Sequence, residues 1–182
     1  MKLYTVKNDI TDKSVILDDM ILTKDMPKFL TATTGMDALT HAVEAYIGRS
    51  KTKLTKSAAG KSVKLILENL EAAYQDGNNL EARKNMLEAS YLAGIAFTRS
   101  YVGYVHAIAH TLGGKYDVPH GLANAVLLPH ILRAYGESAT KPLSMLAKAV
   151  GLVEESTAPE TAAEAFIACI EAMNARMEIP TT

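Results

Sequence analysis

From about residue 31 onward the chain reads as one helical segment after another, each closed by turn chemistry. The stretch over about 55–76 shows the pattern most plainly. Val63, Leu67, Leu70 and Tyr74 recur at intervals of three and four, so one face of that helix is buried. Asp76-Gly77-Asn78-Asn79 then ends it. Before it, Thr33 or Thr34 is expected to cap a helix running from Gly35 to about Gly48. A third helix over about 81–98 turns Met86, Ala89, Leu92 or Ala93, and Ala96 inward, and Gly94 with the alanines suggests close packing. A fourth, over about 102–113, is expected to stop at Gly113-Gly114. The fifth runs from near Gly121 to about Tyr135. Its AVLLPHIL stretch is apolar nearly all round, which predicts a central position, and Pro129 should kink or split it. A sixth covers about 140–150, with Gly151 at its end, and Pro159 opens a seventh that stops before Pro180.

Residues 1–30 read differently. KLYTV and SVILDD are short β-favouring runs separated by NDITDK, and Pro27 closes the segment. The fold class expected is mainly α: a bundle of about seven helices in 31–182, preceded in 1–30 by a short α/β remnant. Two strands without a sheet, and an ending in IPTT with nothing to close the bundle, lead us to expect a fragment truncated at its C-terminus.

Composition removes several function classes. Hydrophobic residues make up 48% of the 182, enough for a real core. A formal net charge of -1 gives no electrostatic ground for a nucleic-acid or anionic-membrane partner. The N-terminus has no apolar signal-type core, and no apolar run approaches the ~20 residues that span a bilayer, so a cytoplasmic protein is expected. The single cysteine, Cys169, excludes an internal disulfide. It sits among Phe166, Ile167 and Ile170 and reads as a small buried apolar residue.

The five histidines carry more information. Asp37 and His41 are four apart on the first predicted helix, so their side chains share a face and can chelate one divalent ion. Alone, that spacing is more often a surface pair. His106 and His110 repeat the spacing on the fourth helix, and His120 follows in a Pro-His-Gly turn. Burying several imidazoles among Val, Ala, Ile and Leu without partners costs free energy at each, and a shared metal removes that cost. The glycines Gly113, Gly114 and Gly121 fit tight turns or the close approach of another group. Spacing leaves five candidate ligands, Asp37, His41, His106, His110 and His120, and does not choose among them.

TATTGMDALTHAVEAY and GYVHAIAHTLGGKYDVPHGLANAVLLPH resemble the two signature segments of the iron-dependent (group III) alcohol dehydrogenases, and ILDDMILTKDMP resembles the approach to the first. The resemblance covers essentially the whole chain. It implies metal ligands at Asp37, His41, His106 and His120. It places His110 apart from them, near the reacting carbon and the nicotinamide, as a catalytic and cofactor-contacting residue. Lys2 falls near a family lysine that contacts the cofactor ribose. Glu44 matches a family acidic position, read as standing behind the ligands or, by preference, on the helix surface. His130 is given a structural role.

The same resemblance implies an NAD(P)-dependent interconversion of a small primary alcohol and its aldehyde, at Fe2+ or, nearly as well, Zn2+, in an enzyme that usually forms homo-oligomers. The departure from the family is that no G-x-G-x-x-G or other glycine-rich phosphate loop occurs in the sequence. Activity of this chain alone is therefore not expected. A non-catalytic metal-binding helical module is the principal alternative. An all-α metal-dependent phosphohydrolase is a weaker one, because that chemistry needs an adjacent His-Asp pair and no histidine here precedes an aspartate.

Overall fold

The structure is a computed structural model that describes residues 20–181. A single 3-10 turn, Met20–Thr23, leads into seven α-helices: α1 (Lys28–Ile47), α2 (Lys53–Gln75), α3 (Leu80–Ser100), α4 (Tyr104–Tyr116), α5 (His120–Ala134), α6 (Glu137–Ala149) and α7 (Pro159–Arg176). Among the described residues there is no strand, and no helix is long and apolar enough to cross a membrane. The KLYTV and SVILDD segments lie outside the described residues.

The all-α body expected from periodicity is present, and its departures have local causes. The first helix begins at Lys28, seven residues before Gly35, with Pro27 at the cap position. Thr33 and Thr34 do not cap it. Their hydroxyls bond back to Phe29 O and Leu30 O inside the helix, at 2.9 and 2.7 Å, the alternative open to any helical threonine. The side-chain cap expected there occurs instead on α2, where Thr52 and Thr55 form a reciprocal box. Gly113-Gly114 does not stop α4, which continues to Tyr116 and ends at Asp117 in the left-handed region at φ 56°. A Cβ on Gly114, or on Gly94, would meet nothing within 4 Å, so neither marks a close approach.

Pro129 neither splits nor ends α5. A proline there withholds the N–H that Ala125 O would accept. Asn174, reaching across from α7, donates its amide to that carbonyl at 2.8 Å. The break is thereby repaired from a neighbouring helix.

The most enclosed helix is α1 rather than α5. It packs against α2, α3, α4, α5 and α6, whereas α5 packs against α1, α4 and α7. Met36, Leu39, Ala42 and Val43 of α1 are fully buried, while Val126, Leu127 and Ile131 of α5 are only partly so. Alanines let α3 close on the same core: Ala89, Ala93 and Ala96 are buried, and Ala93 rather than Leu92 takes the inward position. On α2 Ala59, Val63, Ile66, Leu70 and Ala73 are fully buried, with Leu67 at the edge of the core. Because α1 is gripped on nearly every side, a side chain on it has a fixed position relative to α4 and α5.

Candidate metal centre

Asp37 and His41 stand one turn apart on α1, as an i, i+4 pair must. His106 lies in the first turn of α4, and His120 is the first residue of α5. Their approach depends on Gly121. A Cβ there would stand 2.6 Å from Thr33 O on the α1 backbone, so only glycine lets the start of α5 come this close. The expectation of a close approach holds at Gly121, and Gly113 and Gly114 have no such role.

The four side chains converge. Each offers one ligand atom, and the four atoms lie within 4.8 Å of one another. Asp37 Oδ2 is 3.7 Å from His41 Nε2, and Asp37 Oδ1 is 3.5 Å from His106 Nε2 and 3.4 Å from His120 Nε2. Two donors at about 2.1 Å from a tetrahedral ion stand roughly 3.4 Å apart, so these separations suit a single small cation.

The donor set passes a second test. His106 is 1% exposed, and its Nε2 is buried without a hydrogen-bond partner. Its Nδ1 faces Glu44 Oε2 at 2.7 Å. A carboxylate only accepts, so Nδ1 donates, and in the neutral ring the lone pair falls on the unpartnered Nε2. An orphaned nitrogen pointing at a carboxylate and two further imidazoles is what a cation site offers. His41 Nδ1 is also buried and unpartnered, and no contact among the described residues accounts for it.

Electrostatics separate the imidazoles. Burial, reinforced by the neighbouring His106, pushes His41 down to about 4, so its ring is neutral near pH 7. Its ring is stacked between Phe97 and His106, at centroid distances of 4.2 and 4.0 Å. Burial also disfavours the charged form of His106, but the Asp37 and Glu44 carboxylates on either side outweigh it and push that ring up to about 9. The two carboxylates thus favour positive charge between Asp37 and Glu44. Burial raises the Asp37 carboxyl, but His106, His41, Asn124 and His120 together hold it below its usual value.

Two further buried residues, Glu44 and Asn124, support the centre. Glu44 is not on the helix surface: it is 2% exposed and stands behind His106. Asn124, fully buried, was not legible as part of the site. It donates to Asp37 Oδ1 at 2.5 Å and lies 3.0 Å from His120 Nε2, tying α1 to the start of α5. Its spacing of four from His120 was the available signal, the same spacing that paired Asp37 with His41.

His110 is exposed and outside the four converging donors. Its ring stacks on His120 at 5.1 Å and meets His106 edge-on at 6.0 Å, so it flanks the open side of the centre. His120 is also exposed, whereas His106 is not. The centre is thus closed on the Glu44 side and open on the His110–His120 side. His130 is remote in its contacts, with Nε2 3.1 Å from Thr181 O. Lys2 lies outside the described residues. Cys169 is half-buried, and burial pushes its thiol up. A groove of about 1060 Å³ between the end of α1, the start of α4 and α6 touches Glu44 but none of the four converging residues.

Comparison with known proteins bears on this arrangement. The profile of the "Fe-containing alcohol dehydrogenase family, C-terminal" matches residues 31–182. The chain is 47% identical over 167 residues to a 1,3-propanediol dehydrogenase of Citrobacter freundii, covering 92% of this chain and 43% of that protein. It is 42% identical over 182 residues to alcohol dehydrogenase 4 of Saccharomyces cerevisiae (strain YJM789), covering 99% of this chain and 46% of that protein. Its fold superposes on the crystal structure of a 1,3-propanediol oxidoreductase with a TM-score of 0.85 and 46% identity, over 89% of this chain and 42% of that one. The chain thus spans about half the length of the relatives it matches. The helical body, the two signature segments and these likenesses agree: the chain belongs to the iron-containing alcohol dehydrogenase family and corresponds to its C-terminal part.

Proposed function

We propose that this chain is the metal-holding part of an NAD(P)-dependent alcohol dehydrogenase that interconverts a small primary alcohol and its aldehyde. The observation that carries the reading is the convergence of Asp37, His41, His106 and His120, with His106 Nε2 buried and unpartnered at its centre. We assign these four as ligands of one divalent ion, Fe2+ or Zn2+. Such an ion supplies Lewis acidity toward an alcohol or carbonyl oxygen.

The chain's own residues do the rest. Asp37 contributes the carboxylate that offsets part of the cation's charge. His41 arrives neutral, because burial has already suppressed its protonation. Glu44 and the core close the rear of the centre, so substrate approaches from the open side, past His120 and His110. His110, stacked on His120 and exposed to solvent, is placed to carry a proton between the substrate oxygen and water. Overall, the alcohol loses a hydride from carbon to the oxidised nicotinamide and a proton from oxygen, giving aldehyde, reduced nicotinamide and H+. The reverse reaction takes both back.

The sequence holds no glycine-rich phosphate loop, so we place tight cofactor binding outside these 182 residues. The chain alone is expected to bind metal and turn over no alcohol. We further expect self-association, because Ile21, Leu22, Phe29 and Leu30 present apolar surface near the start of α1. The test is metal stoichiometry after saturation and desalting. His106→Ala and His120→Ala should each abolish the bound ion, and His110→Ala should retain it. Equal loss in all three would refute the division between ligands and His110. NADH binding by the chain at micromolar concentration would refute the placement of the cofactor.

A further inference from the structure

Glu44 does something that neither its position in the sequence nor the ligand set requires. The cap position of helix α4 is Gly103, which has no side chain, so no side-chain cap is made from that position. The first N–H groups of any helix need acceptors. Here Glu44 provides them from α1. Its Oε2 accepts from Gly103 N at 2.9 Å and its Oε1 from Val105 N at 2.8 Å. The same Oε2 accepts from His106 Nδ1 at 2.7 Å. Tyr104 N, between them, donates to the Tyr135 hydroxyl at 3.3 Å. The arrangement also depends on Gly103, since a Cβ there would stand 2.7 Å from Glu44 Oε1.

One buried carboxylate thus anchors both the start of α4 and the ring of the histidine in its first turn. The two functions share an oxygen, so the ring cannot rotate without disturbing the helix start. We propose that Glu44 is a positioning residue for the metal centre. In this role it fixes His106 with Nδ1 donating and Nε2 presented to the cation, and it sets the distance of α4 from α1 and hence from Asp37 and His41. The inference rests on the metal reading above.

Glutamine at position 44 keeps the shape but changes the chemistry. At the Oε2 position its carbonyl would still accept from Gly103 N and His106 Nδ1 while the NH2 faced Val105 N–H; at the Oε1 position it would accept from Val105 N alone and the NH2 would face Gly103 N–H and His106 Nδ1. Facing Nδ1, it would donate to the ring and move the ring proton to Nε2, where the lone pair is needed. Aspartate keeps the charge but is one methylene shorter, so it cannot reach all three donors.

The test compares dissociation constants for Zn2+, measured by chelator competition, among the unaltered chain, Glu44→Gln, Glu44→Asp and Tyr135→Phe. Melting temperatures of the metal-free forms are recorded alongside. Tyr135→Phe removes an acceptor from the same helix start without touching His106, and so isolates helix fraying. We expect Glu44→Gln to weaken Zn2+ binding by about 10- to 100-fold. Glu44→Asp should fall between it and the unaltered chain. Tyr135→Phe should melt lower while its Zn2+ affinity stays within about twofold. Unchanged affinity in Glu44→Gln overturns the inference, and so does an equal loss in Tyr135→Phe, which would make Glu44 a helix cap only. Failure of the unaltered chain to bind Zn2+ would instead overturn the metal reading, and the inference with it.

Discussion

Replacing Gly121 by alanine tests how the centre is assembled, because it adds one methyl where α5 meets α1. The new Cβ would stand 2.6 Å from Thr33 O and 2.9 Å from Thr33 C, while ordinary contact begins at 3.4 Å. Both obstacles are backbone, so no side chain can swing aside. The start of α5 must withdraw by about 0.8 Å to restore contact. Overpacking of this kind costs about 1–3 kcal/mol, and the better helix propensity of alanine returns up to about 1 kcal/mol. With a net loss of up to about 3 kcal/mol, and about 2–4 °C per kcal/mol for a chain of this size, the metal-free form should melt lower by up to roughly 12 °C. The larger effect falls on the metal. His120 precedes the substituted residue, and a centre tolerates only about 0.2 Å of error in its ligand distances. Zn2+ affinity should fall by about tenfold or more. Thermal denaturation by circular dichroism, paired with Zn2+ titration, reads both quantities. Gly114→Ala is the control: its Cβ meets nothing within 4 Å, and alanine inside a helix should raise stability slightly while leaving affinity alone. If Gly121→Ala matched that control in melting and affinity, the account of how α5 docks on α1 would be wrong.

Three further outcomes follow from the packing and the caps. Asn174→Leu should lower stability by about 1–3 kcal/mol, because Ala125 O is left without a donor. The loss should shrink in a Pro129→Ala background, where the restored N–H takes that carbonyl; denaturant unfolding in a double-mutant cycle reads the difference. Thr52→Ala removes half of the reciprocal cap on α2 and should cost about 1 kcal/mol in the same assay. The Cys169 thiol, pushed up by burial, should react with iodoacetamide at pH 8 more slowly than a free thiol, since less of it is thiolate. Equal rates for the native and unfolded chain would contradict that.

How much of this was legible in the sequence depended on whether the signal was local. The helices of the body follow from three-and-four spacing, as at Val63, Leu70 and Tyr74, because burial of one face is recorded in every turn. The pairing of Asp37 with His41 is equally local. The repair of Pro129 by Asn174 joins residues far apart in sequence, so Pro129 read as a kink or a split. Thr33 and Thr34 looked like caps because a threonine before a helical run cannot be told from one already inside it. Glu44 read as a surface acid in preference to one behind the ligands because its three partners lie about 60 residues away, on an element whose own cap residue is glycine. Spacing could not separate His110 from the ligands. The structure puts His110 beside His120 on the open side, while His106 turns its Nε2 toward Asp37.

The most direct test of the account is X-ray absorption on the chain loaded with Zn2+. We predict one ion per chain, with four nitrogen and oxygen neighbours at about 2.0–2.2 Å and multiple-scattering features of three imidazoles. Hexahydrated zinc, or a coordination sphere with fewer than three imidazoles, would contradict the convergence of α1, α4 and α5 on one cation.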